Sequence, residues 1–251
     1  MIYERISARS GILSSVARPL IQKIASFSDA AIYRATLAKL SREYSKNHSI
    51  DRLLDAIYSS LGSFLTIRPI QVKEEISQLL VRLADSQPRT IVEIGTANGG
   101  TLFLLTRVAA PKATIISIDK PNGSFGGGYP GSMTPVFRSF ARDGQSVILV
   151  RSDSHENATV DHTRKILDDR DVDFLFIDGD HSYQGVKSDF SMYSPLVAEG
   201  GLIALHDIVP GLPSHVGEVP RFWTELRGKY PSHEIVKSWN QGQAGIGLLD
   251  F

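Results

Sequence analysis

Between Thr90 and Gly100 the sequence reads TIVEIGTANGG, and this stretch constrains the fold more than any other. A β-branched run, Thr90, Ile91 and Val92, leads through Glu93 and Ile94 to Gly95. The pair Gly99 and Gly100 then opens the apolar segment Thr101 to Ala109, long enough for about two to three helical turns. Strand, tight turn and helix in this order form the opening unit of a wound α/β sheet. Gly95 allows a turn with positive φ. Gly99 and Gly100 have no side chain to keep a ligand away from the backbone and the positive end of the helix.

The spacing narrows the ligand. A dinucleotide fold needs G-x-G-x-x-G so that a pyrophosphate can rest on the helix N-terminus. This chain has E-x-G-x-x-x-G-G, with Ala97 at the second glycine position. A carboxylate at Glu93 repels phosphate and suits an ammonium or sulfonium group. The stretch resembles motif I of the class I S-adenosylmethionine-dependent methyltransferases. That resemblance implies that Glu93, Gly95, Asn98 and Gly99 bind the cofactor. The alternative is a generic Rossmann-like turn with an incidental glutamate.

Composition removes several other classes. At 251 residues the chain has room for one α/β domain with an extension, or for two small domains, and 42% hydrophobic residues indicate a globular chain. Lys+Arg and Asp+Glu both total 27, so no global basic field favours nucleic acid. Without cysteine there is no disulfide, thiolate metal site or cysteine nucleophile, and a cytoplasmic location is expected. No run approaches the ~18–20 apolar residues of a transmembrane helix. The first 27 residues carry Arg5, Arg9, Arg18 and Lys23 against Glu4, with apolar residues interrupted by serines and Pro19. Docking onto the protein body or a second subunit is expected there; a membrane-surface helix is the alternative.

Residues 1–88 read as a helical extension, a cap or oligomerisation layer. Tyr33, Leu37, Leu40 and Tyr44 form one stripe, and Ile50, Leu53, Leu54, Ile57 and Leu61 a second, with Asp29 and Asp51 near the helix starts and Gly62 ending the second. A further helix, containing Leu79, Leu80 and Leu83, begins after Pro69. Residues 89–251 read as the methyltransferase domain. Its strands are expected at Thr90 to Ile94, Ala113 to Ile118, Ser146 to Val150, Val172 to Ile177 and Gly201 to Leu205, followed by a helix from Pro220 to Tyr230. A hairpin of Glu234 to Trp239 and Ile246 to Phe251 ends the chain. The fold class is α/β, a Rossmann-like, seven-stranded, mostly parallel sheet with a C-terminal antiparallel hairpin. Ligands bind at the strand C-terminal ends in such sheets, and Glu93, Asp119, Asp153, Asp178 and Asp207 gather there.

For the cofactor, S-adenosylmethionine, Asp119 suits the ribose hydroxyls, because a carboxylate can accept both hydrogens; a helix-cap or turn acid is the alternative. Asp153 and Ser154 resemble family positions at the adenine edge, and Gln71 a position that helps close the site. The strings DFLFIDGDHSYQGVKSDF (Asp173 to Phe190) and GGLIALHD (Gly200 to Asp207) are similar to the macrocin and mycinamicin sugar O-methyltransferases and to the so-called cephalosporin hydroxylases. That resemblance implies a divalent cation held by Asp178, His206 and Asp207, with Asp178 also near the cofactor and His181 as catalytic base. A cation on a hydroxyl lowers its pKa and orients it, and imidazole titrates in the useful range.

The antibiotic-sugar enzymes have glutamate where this chain has His206, which moves preference from Mg²⁺ towards Mn²⁺, Fe²⁺ or Zn²⁺. His206 as pocket wall, His181 as a turn histidine bonded to Asp178 or Asp180, and Asp180 as a substitute ligand stay open. The glycine-rich loop Asn122 to Gly131, where Gly126-Gly127-Gly128 allows a lid to move, the loop Ile208 to Val219 with Pro210, Pro213 and His215, and the N-terminal helices are candidates for the acceptor pocket, with Tyr129, Tyr183 and Trp223 as stacking residues. His48, His155, His162 and His233 show no ligand spacing. The expected activity is O-methylation of a small hydroxylated acceptor, a sugar or glycosylated natural product, by a protein without a nucleic-acid partner that self-associates through its N-terminal helices. β-Lactam tailoring and noncatalytic cofactor binding are the rivals.

Overall fold

The structure is a computed structural model that describes residues 31–42, 44, 49–61, 63, 66–123 and 128–251. The expectations for the basic N-terminal segment, Asp29, His48, Gly62, Gly126 and Gly127 lie outside the described residues. Backbone contacts divide the chain into two compact units, Met1–Arg68 with Gly131–Val136, and Pro69–Pro130 with Phe137–Phe251.

In the first unit, residues 31–42 are helical and Ile50–Ser59 form a second helix. The expected stripe of Tyr33, Leu37, Leu40 and Tyr44 is buried, and the Tyr33 hydroxyl donates to the Thr66 carbonyl at 2.9 Å. Ser49 caps the second helix by accepting from Arg52 N, and Leu53, Leu54 and Ile57 face inward. Leu61 departs from its expected stripe: the helix stops at Ser59, so the 3.6-residue period no longer applies, and Leu61 is 73% exposed.

The second unit is organised on one seven-stranded sheet of order β3-β2-β1-β4-β5-β7-β6. The strands are β1 (Thr90–Ile94), β2 (Thr114–Ile118), β3 (Ser146–Val150), β4 (Val172–Ile177), β5 (Val197–His206), β6 (Ser232–Ile235) and β7 (Ile246–Asp250). β1 to β5 run parallel, whereas β7 pairs antiparallel with both β5 and β6. All five residues of β1 and of β2 are buried, as expected of strands covered on both faces. Helix Gly100–Val108 is buried along its whole length. Helix Tyr183–Tyr193 adds Val186, Phe190 and Tyr193 to the core, and helix Val219–Arg227 adds Phe222, Trp223 and Leu226. Among the described residues no helix is long and apolar enough to cross a membrane.

Two boundaries move by four residues. β5 begins at Val197, before the expected Gly201. β6 ends at Ile235, although the apolar run continues to Trp239. A buried carboxylate accounts for the second: Glu75 accepts from Lys237 N, Gln241 Nε2 and Gly245 N at 2.7–3.0 Å, drawing the chain out of the ladder. Order 3-2-1-4 reverses direction between β1 and β4, so the crevice of this sheet opens outside those two strands.

Candidate active site

A cavity of about 200 Å³ lies there, lined by the residues that follow β1 to β4, including Gly95, Ala97, Asp119, Ser152, Asp153, Ser154, His155, Asp178 and Asp180. Gly95 has φ 95°, and a Cβ on it would come within 1.9 Å of the Asp178 carbonyl oxygen. The turn is therefore fixed by contact with β4 as much as by its own dihedral. Gly99 has φ 80°, and the space beside it is filled by the Phe137 ring. Asn98 Oδ1 accepts from Gly100 N at 3.2 Å, covering one of the helix's first N–H groups.

The acids differ in what they touch. Glu93 is fully buried below the cavity and is absent from its lining. Its Oε2 accepts from Ser117 Oγ, and its Oε1 makes no hydrogen bond. Burial, with Asp119 and Asp178 nearby, pushes its pKa up to about 8, against the pull of Ser117. Asp119 ties the turn together: Oδ2 accepts from Thr96 N and Ala97 N at 3.1 and 2.8 Å, and Oδ1 from Gly128 N at 2.8 Å. Asp153 accepts from Lys120 Nζ on one oxygen and from His155 N on the other. The Ser154 carbonyl accepts from the Tyr193 hydroxyl at 3.1 Å.

At the ends of β4 and β5 the side chains converge. Asp178 Oδ2 accepts from Gln71 Nε2 at 2.9 Å, and Gln71 Oε1 accepts from Thr101 Oγ1 at 2.9 Å. Asp207 has φ 63°, a strained value for a residue with a side chain, and its Oδ1 accepts from Ala244 N at 2.9 Å. The ligand atoms of Asp178, His181 and Asp207 lie within 4.8 Å of one another. His206 Nδ1 lies 3.3 Å from Asp178 Oδ1 and 3.4 Å from Asp207 Oδ1, so two histidines border the same pair of carboxylates. Neither nitrogen of the buried His206 makes a hydrogen bond. His181 Nδ1 donates to the His215 carbonyl at 2.6 Å, since that oxygen can only accept, while Nε2 points to Asp178 Oδ1 at 3.5 Å.

Charge follows this geometry. Burial works against a carboxylate at Asp178, yet the two imidazoles beside it hold its pKa below the usual range. Burial likewise opposes a charge on His206, but Asp178 and Asp207 raise its pKa well above that of free imidazole. Two carboxylates bordered by two imidazoles form a donor set suited to a divalent cation. The cavity's acidic lining likewise suits a ligand carrying positive charge and hydroxyl donors, and disfavours a pyrophosphate.

The aromatic candidates sort differently from expectation. Trp223 is core: it is 1% exposed, its Nε1 donates to Glu234 Oε1 at 2.7 Å, and its ring covers Gly247. The Tyr183 hydroxyl is engaged by Glu225. Tyr129 packs against Phe137 with ring centroids 4.7 Å apart and planes tilted by 60°, and its buried hydroxyl makes no hydrogen bond. His155 looked ordinary in the sequence, yet it lines the cavity and faces Asp189. The signal for Asp189 was present: it falls between Val186, Phe190 and Tyr193 on an otherwise apolar helix stripe.

Known proteins match these features. Residues 92–208 fit a family model described as a methyltransferase domain. An uncharacterized protein of Acanthamoeba polyphaga mimivirus is 32% identical over 142 residues, 56% of this chain and 61% of that protein. An uncharacterized protein of Sinorhizobium fredii is 28% identical over 166 residues, 65% of this chain and 17% of that protein. The matched region thus spans less than two thirds of either relative. Among solved structures, the O-methyltransferase from Bacillus cereus in complex with SAH superimposes with a TM-score of 0.54 at 16% identity, covering 85% of this chain and 97% of the other. That likeness concerns the fold. The segment from Val92 to Ile208, with β1, β2, β3, β4 and β5 and the acids at their ends, is thus similar to the methyltransferase-domain family.

Proposed function

We propose that the chain transfers a methyl group from S-adenosylmethionine to a hydroxyl of a small molecule, a sugar or glycosylated natural product, with a divalent cation and a histidine base. The observation that carries this reading is the cluster of Asp178, His181, His206 and Asp207 at the β4 and β5 ends, beside a cavity bordered by Asp119 and Asp153. In this reading Gly95, Asn98, Gly99, Asp119, Asp153, Ser154 and Asp178 serve the cofactor, and Glu93 supports the turn from below. Asp178, Asp207 and His206 hold the cation. His206 is assigned there because it is buried, contacts both carboxylates and has no other hydrogen-bonding use. When bound, the cation supplies acidity to the acceptor hydroxyl.

His181 takes the proton. Its Nδ1 is anchored on the His215 carbonyl, which directs Nε2 to the Asp178 side, and it is the more accessible of the two histidines. The in-line attack on the sulfonium methyl carbon needs the acceptor oxygen held in line more than it needs new covalent chemistry. Residues 1–88 act as a cap or self-association layer, and a monomer in light scattering would remove the second role.

The test is calorimetric titration with S-adenosylhomocysteine before and after chelation, then with Mn²⁺ or Mg²⁺ restored beside a panel of polyols and glycosides. Acceptor binding that requires the cation, and methyl transfer to one of these acceptors, is the expected result. Binding of S-adenosylhomocysteine without any cation effect would remove the metal; no binding would remove the cofactor.

A further inference from the structure

Asp189 is an unusual group to find in the core. It sits on helix Tyr183–Tyr193 with 0% exposure, and neither carboxylate oxygen makes a well-directed hydrogen bond. A carboxylate buried in this way is strongly disfavoured unless a cation faces it. The facing group is His155, whose Nε2 lies 3.2 Å from Asp189 Oδ1 and, when the ring is protonated, forms an ion pair with it. His155 follows β3 and lines the cavity, and with Nε2 turned inward to Asp189 its Nδ1 lies on the side of Asp153, 3.7 Å from Asp153 Oδ1. Asp153, also in the cavity wall, is held from the other side by Lys120. The sequence of groups is therefore Asp189, His155, Asp153 and Lys120, alternating in charge from the core to the surface.

This alternation puts a hydrogen-bond donor beside an acceptor at one end of the cavity. A doubly protonated imidazole has N–H on both nitrogens, so an inward Nε2–H on Asp189 leaves Nδ1–H as a donor, next to a carboxylate that only accepts. The edge of an adenine is the complement: its ring N1 accepts and its exocyclic amine donates. Hypoxanthine reverses both, with an oxygen at position 6 and N1–H. We infer that Asp189 and His155 form a base-reading pair, in which buried Asp189 acts as a positioning residue that keeps His155 a donor, and His155 with Asp153 selects adenine over 6-oxopurines. This rests on the cofactor reading above and goes beyond it by assigning the specificity to two residues with no metal or catalytic role.

The experiment compares Kd for S-adenosylhomocysteine and S-inosylhomocysteine in the wild-type chain, His155→Ala and Asp189→Asn, with melting temperature measured for each. The wild type is expected to prefer the adenine ligand by about tenfold or more, the worth of one well-made hydrogen bond plus the cost of an unmade one. In both variants the ratio should fall to about threefold or less, with the loss falling on the adenine ligand. A ratio unchanged in His155→Ala overturns the inference, even where both ligands bind more weakly, since a merely structural role moves both together. If Asp189→Asn does not fold, the partly exposed His155 still decides the matter. A wild-type chain that binds neither ligand removes the cofactor reading itself, whereas one that binds both equally keeps that reading and overturns this one.

Discussion

At the ends of β2 and β3, Asp119 and Asp153 have their carboxylates fixed by two or three donors each, from backbone N–H groups and a lysine. At the ends of β4 and β5, Asp178 and Asp207 each accept one hydrogen bond, and imidazole nitrogens at 3.3–3.5 Å make up the rest of their surroundings. The same residue type at equivalent strand ends is thus used in two ways. In the first half the carboxylates are structural ties that shape a cavity and set its sign. In the second each carboxylate accepts a single hydrogen bond and is crowded instead by the nitrogens of His181 and His206, groups that can exchange protons or hold a cation.

Five substitutions can break or sharpen this division. The largest effect is expected for Asp207→Asn, which should lower kcat by about a thousandfold at saturating cofactor while leaving the Kd of S-adenosylhomocysteine within about threefold. An equal loss in both would mean that the halves are not separate. Next, His181→Ala should reduce kcat by about a hundredfold or more with cation affinity kept, as befits a proton acceptor. His206→Ala should instead weaken the cation by about ten- to a hundredfold, read from activity against Mn²⁺ concentration. Reversal of these two results would exchange the ligand and the base.

Asp119→Ala acts on the other half. It leaves Thr96 N, Ala97 N and Gly128 N without their acceptor, so the chain should lose about 1–3 kcal/mol of stability and bind S-adenosylhomocysteine about tenfold more weakly. Chemical denaturation and calorimetry report the two separately. The smallest effect concerns pH. Glu93 has an ordinary value of 4.5 and a folded value near 8, so over that window the folded chain binds more protons than the unfolded one, and stability falls as pH rises. Glu93→Gln should flatten this slope and be the more stable protein at pH 8, by about 1 kcal/mol or more. A slope unchanged by the substitution would show that Glu93 is not the titrating group.

Much of this was legible in the sequence because the relevant signals are local. β3 and β4 fall where their apolar runs stand, and the acids of the rim are the residues that end β2, β4 and β5 or closely follow β3. Glu93 is the exception, since a strand residue one place before the end can point into the sheet. The partners were not legible. Gln71 and Asp178 are 107 positions apart, and Glu75 reaches Gly245 across 170. No periodicity joins such pairs; tertiary packing brings them together. Trp223 illustrates the same limit, because an aromatic residue reads identically whether it covers Gly247 or a ligand.

Gln71 grips Asp178, and four residues later Glu75 grips Gly245, whose neighbour Ala244 grips Asp207. The segment from Gln71 to Glu75 therefore works like a caliper whose two jaws close on the two carboxylates of the proposed cation site. Both acids are thus braced from outside the strands that carry them. A change at residue 71 or 75 would loosen that brace while leaving every proposed ligand in the sequence untouched.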